Sequence, residues 1–151
     1  MNNIIQANRK LCELGHRILG PILDDKFPII EIPDRNTSNI EYESSRNRFV
    51  LGSSVTIRDS SNIKHIRSFA QLAWVASFAK QLLAASRTSS LRDVYYSSEA
   101  FGVNFKDQAE SDRIVLDLEC ITGLPRESFG IFPDEHSSVY GDVQMRYTVP
   151  G

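Results

Sequence analysis

The sequence predicts an α+β fold: three helices followed by a two-stranded β-ribbon, preceded by an N-terminal helix and a short β-hairpin. Two observations lead to this prediction. Apolar residues recur at helical spacing in four separate segments, each bounded by glycine, proline or a capping residue. Elsewhere, short apolar runs alternate with polar residues between turn-forming glycines and prolines, which is typical of strands.

Length and composition are those of one ordinary globular domain. The chain has 151 residues, of which 41% are hydrophobic and 24% charged, with a formal net charge of −2. A chain of this size buries roughly 68–70% of its unfolded surface, enough for a real core. It has no apolar run of the roughly 18 residues that a membrane span needs, so we expect no membrane association. Cys12 and Cys120 lie far apart and are predicted to be reduced, buried thiols.

The first 60 residues are predicted to form a helix, an extended segment and a hairpin. Residues 3–23 carry apolar side chains at intervals of three and four, and Pro21 is expected to end or kink this helix. The run FPIIEIPDRNTSN is short and bracketed by prolines, which is typical of an edge strand or an extended linker. The segment IEYESSRNRFVLGSSVTI alternates around a polar centre and predicts a hairpin.

The strongest helical signal covers residues 61–86. Its apolar stripe is wide, which predicts burial on more than one side. Trp74 and Phe78 are predicted to lie in the core. The stripe itself consists of Ile63, Ile66, Phe69, Ala70, Ala73, Ala76 and Leu83, widened by Leu72, Val75, Phe78, Ala79 and Leu82.

Two shorter helices and a ribbon complete the order. Ser89 or Ser90 is a suitable N-cap for a helix over SLRDVYYSSEAF that ends near Gly102, and DQAESDRIVLDLECIT predicts a helix that Gly123 ends. The remaining tail reads as strand, polar loop, strand. Three helices and a β-wing in this order form a winged helix-turn-helix. We therefore divide the chain into an N-terminal extension, 1–60, and a winged-helix domain, 61–151.

One pair of side chains has the spacing of a reactive centre. Arg92 and Tyr96 are four residues apart, so on a helix they share a face about one turn apart. A tyrosine hydroxyl has a pKa of about 10, and its use as a nucleophile requires a base, a metal or a cation. Arg92 would supply a cation whose planar fork matches a phosphate. The alternative is that Tyr96 packs with its hydroxyl at the surface. Tyr95 points about 100° away from Tyr96 and is predicted to pack.

A local basic stretch precedes Tyr96 and ends at Arg92. Residues 64 to 92 include several basic side chains and no acidic one, although the whole chain is nearly neutral. Such a stretch contacts nucleic-acid phosphates in some proteins and is only a solvated face in others. The candidates for DNA contact are Lys64, Arg67 and Arg87.

The segment from LRDVYYSSEAFG to YGDV resembles the catalytic winged-helix (CAP-like) domain of the DNA topoisomerase VI family, in its DNA-cleaving or A-type subunit; the family includes the meiotic endonucleases that make double-strand breaks. Upstream, IIEIPDRNTSNIEYE and IKHIRSFAQLAWVASFAKQL are similar to the family's preceding segments, so the resemblance covers roughly residues 28–150. The residues that carry it are Arg92, Asp93, Tyr95 and Tyr96, the run QAESD at 108–112, and the motifs GIFP and YGDV.

The resemblance implies a specific chemistry. Tyr96 would attack the DNA backbone, which would create a 5′-phosphotyrosyl link and a free 3′-hydroxyl. Two subunits would each cut one strand, which would give a double-strand break with a short overhang. Arg92 would stabilise the transition state.

The resemblance also implies accessory roles around this pair. Tyr95 would pack, since the family tolerates phenylalanine there. Asp93 is interpreted as orienting Arg92, with capping of the helix as the alternative. The run Glu110, Ser111 and Asp112 would cap the next helix and fix its position beneath the tyrosine.

Cofactors and partners are likewise implied by the resemblance. The family continues into a Toprim domain whose acids bind Mg²⁺, and none is recognisable here, so we expect a truncated, split or degenerate copy with no metal site of its own. Mg²⁺ would come from that domain and ATP would bind a B subunit, which residues 3–23 are candidates to dock. Double-stranded DNA, a homodimer and a location in the cytoplasm and nucleoid, or in a eukaryotic nucleus, are the other expectations.

Two other functions stay open at the level of sequence. One is a non-catalytic winged-helix module that binds DNA, such as a regulator or a decayed paralogue. The other is an interaction domain whose N-terminal helix docks a partner.

Overall fold

The computed structural model describes residues 2–134, within which the chain forms four α-helices and three two-stranded sheets. The α+β prediction is confirmed. The predicted second strand of the ribbon and the motif YGDV lie outside these residues. The elements are α1 (Asn2–Leu23), β1 (Ile29–Pro33), β2 (Ile40–Glu43), β3 (Arg48–Leu51), β4 (Val55–Asp59), α2 (Ile63–Ala84), β5 (Ser89–Ser90), α3 (Leu91–Ala100), α4 (Gln108–Thr122) and β6 (Ile131–Phe132).

Helix α1 packs against α2 through one narrow stripe. Pro21 does not end the helix, which continues to Leu23. Asp25 then adopts φ 56°, and the amide of Lys26 donates to the carbonyl of Pro21 at 2.8 Å. This left-handed residue with its reversed hydrogen bond is a Schellman ending built on aspartate rather than glycine. The buried stripe consists of Ala7, Leu11, Leu14 and Ile18.

The extended segment and the end of the predicted hairpin pair with each other. Strand β1 runs antiparallel to β4, from Ile29 opposite Asp59 to Pro33 opposite Val55. Strands β2 and β3 form the predicted hairpin, which is a separate two-stranded sheet inserted in the chain between β1 and β4. The prediction assigned the β4 residues to the hairpin, because local alternation cannot show which strand a segment pairs with.

Helix α2 confirms the strongest prediction, and its buried face lies within the predicted wide stripe except for Gln71, whereas the first turns of that stripe are exposed. Its N-cap is Asn62, whose side-chain oxygen accepts the amide of Lys64 at 3.0 Å. Ile63 and Ile66 are 82% and 49% exposed, and Ile66 lines the open groove between α1 and α2. The buried residues are Phe69, Gln71, Leu72, Val75, Ala76, Ala79 and Leu82.

Aromatic side chains close the outer side of the core. Trp74 and Phe78 are half-buried rather than central, and their rings stack with centroids 5.2 Å apart. Trp74 also contacts Phe101 and the buried Phe105 edge-on or tilted, with centroids about 6 Å away in both cases. The cysteines differ from the prediction, since Cys12 is exposed and only Cys120 is partly buried.

A short parallel pair joins the two ends of the helical region. Ser89 of β5 lies opposite Ile131 of β6, and the amide of Ser89 donates to the carbonyl of Gly130 at 2.9 Å. The sequence indicated β6 as a strand but not this partner. The pairing places the residues after Phe132 beside the start of α3.

Substitution of Gly130 is expected to destabilise the protein. Its φ is 77°, and a Cβ there would lie 3.0 Å from the carbonyl oxygen of Arg87, which is backbone and cannot rotate away. Gly130→Ala should therefore lower the free energy of unfolding by about 2–3 kcal/mol, the sum of left-handed strain and the contact. Gly102 has φ 69° and open space around it, so Gly102→Ala should cost only about 1 kcal/mol. Urea unfolding measures both, and equal losses would contradict the steric argument.

Candidate functional site

Helix α3 carries the reactive pair and begins with a complete capping box. The Ser90 hydroxyl accepts the amide of Asp93 at 3.1 Å, and the Asp93 carboxylate accepts the amide of Ser90 at 3.3 Å. Ser90 is thus the N-cap, one of the two residues predicted. The cap fixes the start of the helix at Leu91 and places Arg92 in its first turn.

The other face of α3 is buried, which turns Tyr96 outward. Tyr96 is 58% exposed, whereas Tyr95 is half-buried against the core. The two rings lie at 59° with centroids 5.3 Å apart, and the backbone carbonyl of Tyr95 accepts the hydroxyl of Ser98 at 2.6 Å. The two tyrosines are therefore unequal in the sense that their helical spacing predicted. The buried face consists of Leu91, Val94 and Ser98.

Arg92 shares the exposed face with Tyr96, and its side chain is 60% exposed. Its Nε lies 3.8 Å from Oδ2 of Asp134, just after β6. Asp93, the residue predicted to orient Arg92, takes the alternative role instead, since its carboxylate closes the capping box. No local pattern indicated Asp134, because it is far from Arg92 in sequence.

The predicted supporting run ties α4 to its neighbours. Gln108, within that run, donates its amide to the carbonyl of Leu91 at 3.0 Å and to Asp112 at 2.8 Å. The N-cap of α4 is Asp107, which accepts the amide of Glu110 at 2.8 Å. Ser111 is fully buried, and its hydroxyl has no partner within the described residues. Asp112 thus acts on the start of α3 through Gln108.

The three basic residues predicted to contact DNA have different surroundings. Arg67 is engaged internally: it donates to Glu110 at 3.0 Å and to the carbonyl of Asn104 at 3.2 Å. Lys64 and Arg87 are exposed and make no ion pair with any residue between 2 and 134. Contact with DNA remains a prediction for all three.

A second polar centre joins the N-terminal sheet to α4. The buried carboxylate of Asp117 accepts a guanidinium hydrogen bond from Arg35 at 2.9 Å and another from Arg58. These groups line a cleft of about 320 Å³ together with Asp34, whose pKa is lowered by hydrogen bonds from Ser54 and Thr56. One feature of the sequence could have predicted this centre: Asp117 lies at an inward position of the α4 pattern, and a buried acid requires a partner.

Comparison with known proteins shows which protein family the chain belongs to. A family model described as Type IIB DNA topoisomerase matches residues 67–131. A protein of Methanothermobacter thermautotrophicus, named as the A subunit of Type 2 DNA topoisomerase 6, is 40% identical over 147 residues, which cover 97% of this chain and 42% of the relative. The chain belongs to this family of topoisomerase 6 A subunits. Relatives of the same name from Halobacterium salinarum and Pyrococcus abyssi are 32% and 30% identical and are covered over 40% and 37% of their length.

The family match includes the exposed face of α3 that carries Arg92 and Tyr96, which is called the reactive face. Residues 67–131 contain Arg92 and Tyr96, the supporting run at 108–112 and the start of β6. The chain spans about two fifths of the length of these relatives. The resemblance drawn from the sequence is thereby confirmed at the level of the family.

Three further properties of residues 2–134 bear on this family member. No three side chains of histidine, cysteine, aspartate or glutamate lie close enough there to hold a metal ion. Among the described helices, none has the length and apolar character to cross a bilayer. The pKa of the Cys120 thiol is raised, first by burial, which keeps the thiol protonated at neutral pH.

Proposed function

We propose that this chain is the DNA-cleaving part of a type IIB topoisomerase, with Tyr96 as the nucleophile. The observation that carries the proposal is the outer face of α3. Tyr96 and Arg92 are both exposed there, one turn apart, on a helix whose opposite face and N-terminus are fixed. Membership of a family whose curated members are named as topoisomerase subunits supports this use of the pair.

The reaction is a transesterification. The Tyr96 hydroxyl oxygen attacks a backbone phosphorus, the bond from phosphorus to the 3′-oxygen breaks, and the phenolic proton is balanced by one gained at the released 3′-hydroxyl. The product is a 5′-phosphotyrosyl link that the 3′-hydroxyl can reverse. Arg92 lies where its guanidinium can bind the charge that grows on the phosphate oxygens during the attack. Two copies of the chain would cut the two strands.

The DNA-binding surface is proposed to be a winged helix within residues 61–151, preceded by the extension 1–60. Helices α3 and α4, joined by a short turn and tied by Gln108, have the order of a helix-turn-helix. Lys64 and Arg87 add exposed positive charge. These groups suit contacts with phosphates and duplex shape more than readout of base edges.

The partner subunit is proposed to dock in the groove between α1 and α2. An apolar depression of about 610 Å³ opens there, and apolar side chains of α1 lie exposed beside it. A contiguous exposed apolar patch on a protein surface is a common mark of an interaction site. The ATP-binding B subunit is the occupant we propose, with residues 3–23 as its contact. The exposed residues are Leu19, Ile22 and Leu23 of α1, with Phe27 shortly after the helix.

A metal ion does not fit the described residues, because they hold no cluster of ligands. Mg²⁺ is therefore assigned, as a proposal, to a Toprim domain outside residues 2–134, and no step above depends on it. A second candidate function follows from the same observation: the chain would bind DNA without cutting it.

Reconstitution separates the two candidates. The chain is mixed with a Toprim-bearing subunit, the B subunit, Mg²⁺, ATP and end-labelled duplex DNA, and protein attached to 5′ ends is trapped by denaturation. The proposed function predicts attached protein. DNA binding without any attachment would favour the non-catalytic module, and the absence of binding would contradict both.

A further inference from the structure

We propose that Asp134 is a positioning residue for Arg92, which it holds in the DNA-free protein and yields to a DNA phosphate on binding. The proposal rests on the proposed function, since it gives Arg92 a phosphate to bind. The two charged groups lie 3.8 Å apart, from Nε of Arg92 to Oδ2 of Asp134. Their backbones are brought together by the shortest sheet of the fold.

The register of that sheet explains the contact. Strands β5 and β6 run in parallel, with Ser90 opposite Phe132. Arg92 lies two residues after Ser90, and Asp134 lies two residues after Phe132. The pairing thus sets the start of α3 beside the residues that follow β6, and Arg92 and Asp134 meet there. The hydrogen bond from Ser89 to Gly130 secures this register from the other side.

Other carboxylates near the helix start are occupied or distant. Asp93 adjoins Arg92 in sequence, but its carboxylate accepts the amide of Ser90 and closes the cap. Glu99 lies on the same helix and makes no ion pair among residues 2–134. Within that part of the chain, Asp134 is the acid within ion-pair distance of Arg92.

The pair is suited to exchange rather than to permanent closure. The Arg92 side chain is 60% exposed and that of Asp134 is 28% exposed, so solvent screens their attraction. A DNA phosphodiester offers the same planar guanidinium two free oxygens in a bidentate geometry, so it can take the place of the carboxylate. Asp134 also lines a cleft of about 320 Å³ whose walls include the side chains of Ser89 and Ser90, so there is open space beside the pair. The Asp134 carboxylate thus holds the guanidinium of Arg92 beside the first turn of α3 until a DNA phosphate takes its place.

The first test needs no DNA. The Nε–Hε signal of Arg92 is assigned by its loss in Arg92→Lys and followed by ¹H–¹⁵N NMR in the chain itself. Asp134→Asn is expected to shift that signal, and Asp134→Glu is expected to retain a paired signal. The matched control is Glu99→Gln, which removes the same charge from α3 and should leave the signal in place. An unchanged signal in Asp134→Asn would overturn the proposal.

The second test measures the exchange. Asp134→Asn should tighten binding of a short duplex about two- to fivefold at low salt, the range that one exposed ion pair contributes. The gain should shrink as salt is added. In an Arg92→Gln background the same substitution should change affinity no more than Glu99→Gln does. An equal gain in both backgrounds would show that Asp134 repels DNA directly, which would overturn the proposal.

The two tests separate this proposal from the proposed function. A shifted Arg92 signal in a chain that binds no duplex would support the pairing and contradict the DNA-cleaving assignment. Covalent attachment through Tyr96, with no response of Arg92 to Asp134→Asn, would do the reverse.

Discussion

Tyr96→Phe is expected to reduce the covalent protein–DNA link below detection in the reconstituted complex. The substitution removes one oxygen, and that oxygen is the atom proposed to bond to phosphorus. Packing should be unaffected, because Tyr96 is 58% exposed and its hydroxyl has no partner among the described residues. The readout is the amount of end-labelled DNA that migrates with denatured protein, normalised to binding of the intact duplex.

The neighbouring residue is the matched control. Tyr95→Phe removes the same oxygen from a half-buried ring and should retain the link at close to the wild-type level. Both variants should unfold at the wild-type urea concentration, since neither hydroxyl is buried with a partner. A link that survives in Tyr96→Phe would mean that another residue is the nucleophile.

Asp117→Asn is expected to cost the largest amount of stability of any single change considered, roughly 3 kcal/mol. The side chain of Asp117 is 3% exposed and pairs with both Arg35 and Arg58, which are 33% and 19% exposed. Removal of a buried partner leaves uncompensated charge and costs about 3–5 kcal/mol, and the partial exposure of the arginines places this case at the lower end. Nη1 of Arg58 is already buried without a partner within residues 2–134. Urea unfolding measures the loss in free energy of unfolding. The dependence of that free energy on urea concentration should stay at the wild-type value, which shows that the two proteins unfold in the same way.

Two further variants distinguish charge from shape at this centre. Asp34→Asn changes an acid of the same cleft whose own partners are the exposed Ser54 and Thr56, and it should cost far less stability than Asp117→Asn because solvent screens an exposed charge. Replacement of Arg35, Arg58 and Asp117 together by Met, Met and Leu should recover most of the lost stability, because no buried charge remains. If the triple variant were no more stable than Asp117→Asn, unpaired charge would not be the cause.

Helices were the part of this fold that local sequence could predict. Each carries its own signals of spacing and capping, and α2, α3 and α4 begin and end close to the predicted residues. The unequal burial of Tyr95 and Tyr96 also follows from spacing alone, because residues one apart on a helix point about 100° from each other. The wrong detail is one that neighbours decide: Ile63 and Ile66, predicted within the apolar stripe of α2, are exposed.

Pairings between distant segments could not be predicted in the same way. The strand from Val55 to Asp59 looks like part of the hairpin, but its partner is β1, more than twenty residues earlier. The pair of β5 and β6 involves two residues on each side, too few for any periodicity to show. Both pairings bring charged residues together, since the first places Arg58 beside Asp117 and the second places Asp134 beside Arg92.

The same limit applies to the reactive face. Arg92 and Tyr96 could be paired from sequence because a helix brings residues four apart together, and their likeness to a family gave them a chemistry. Asp93 is predicted to orient Arg92, with helix capping as the alternative, and its carboxylate accepts an amide at the helix start. A carboxylate near a helix N-terminus has two possible partners, and the geometry of the cap decides between them.

The nucleophile can be identified directly as the residue that carries DNA in the trapped complex. Digestion with nuclease and trypsin should yield the peptide that follows Arg92 and ends at Lys106, modified by a nucleotide remnant. Fragmentation of that peptide by mass spectrometry separates Tyr95 from Tyr96. We expect the phosphate on Tyr96; a phosphate on Tyr95, or on a tyrosine elsewhere in the chain, would contradict the proposed function of the reactive face.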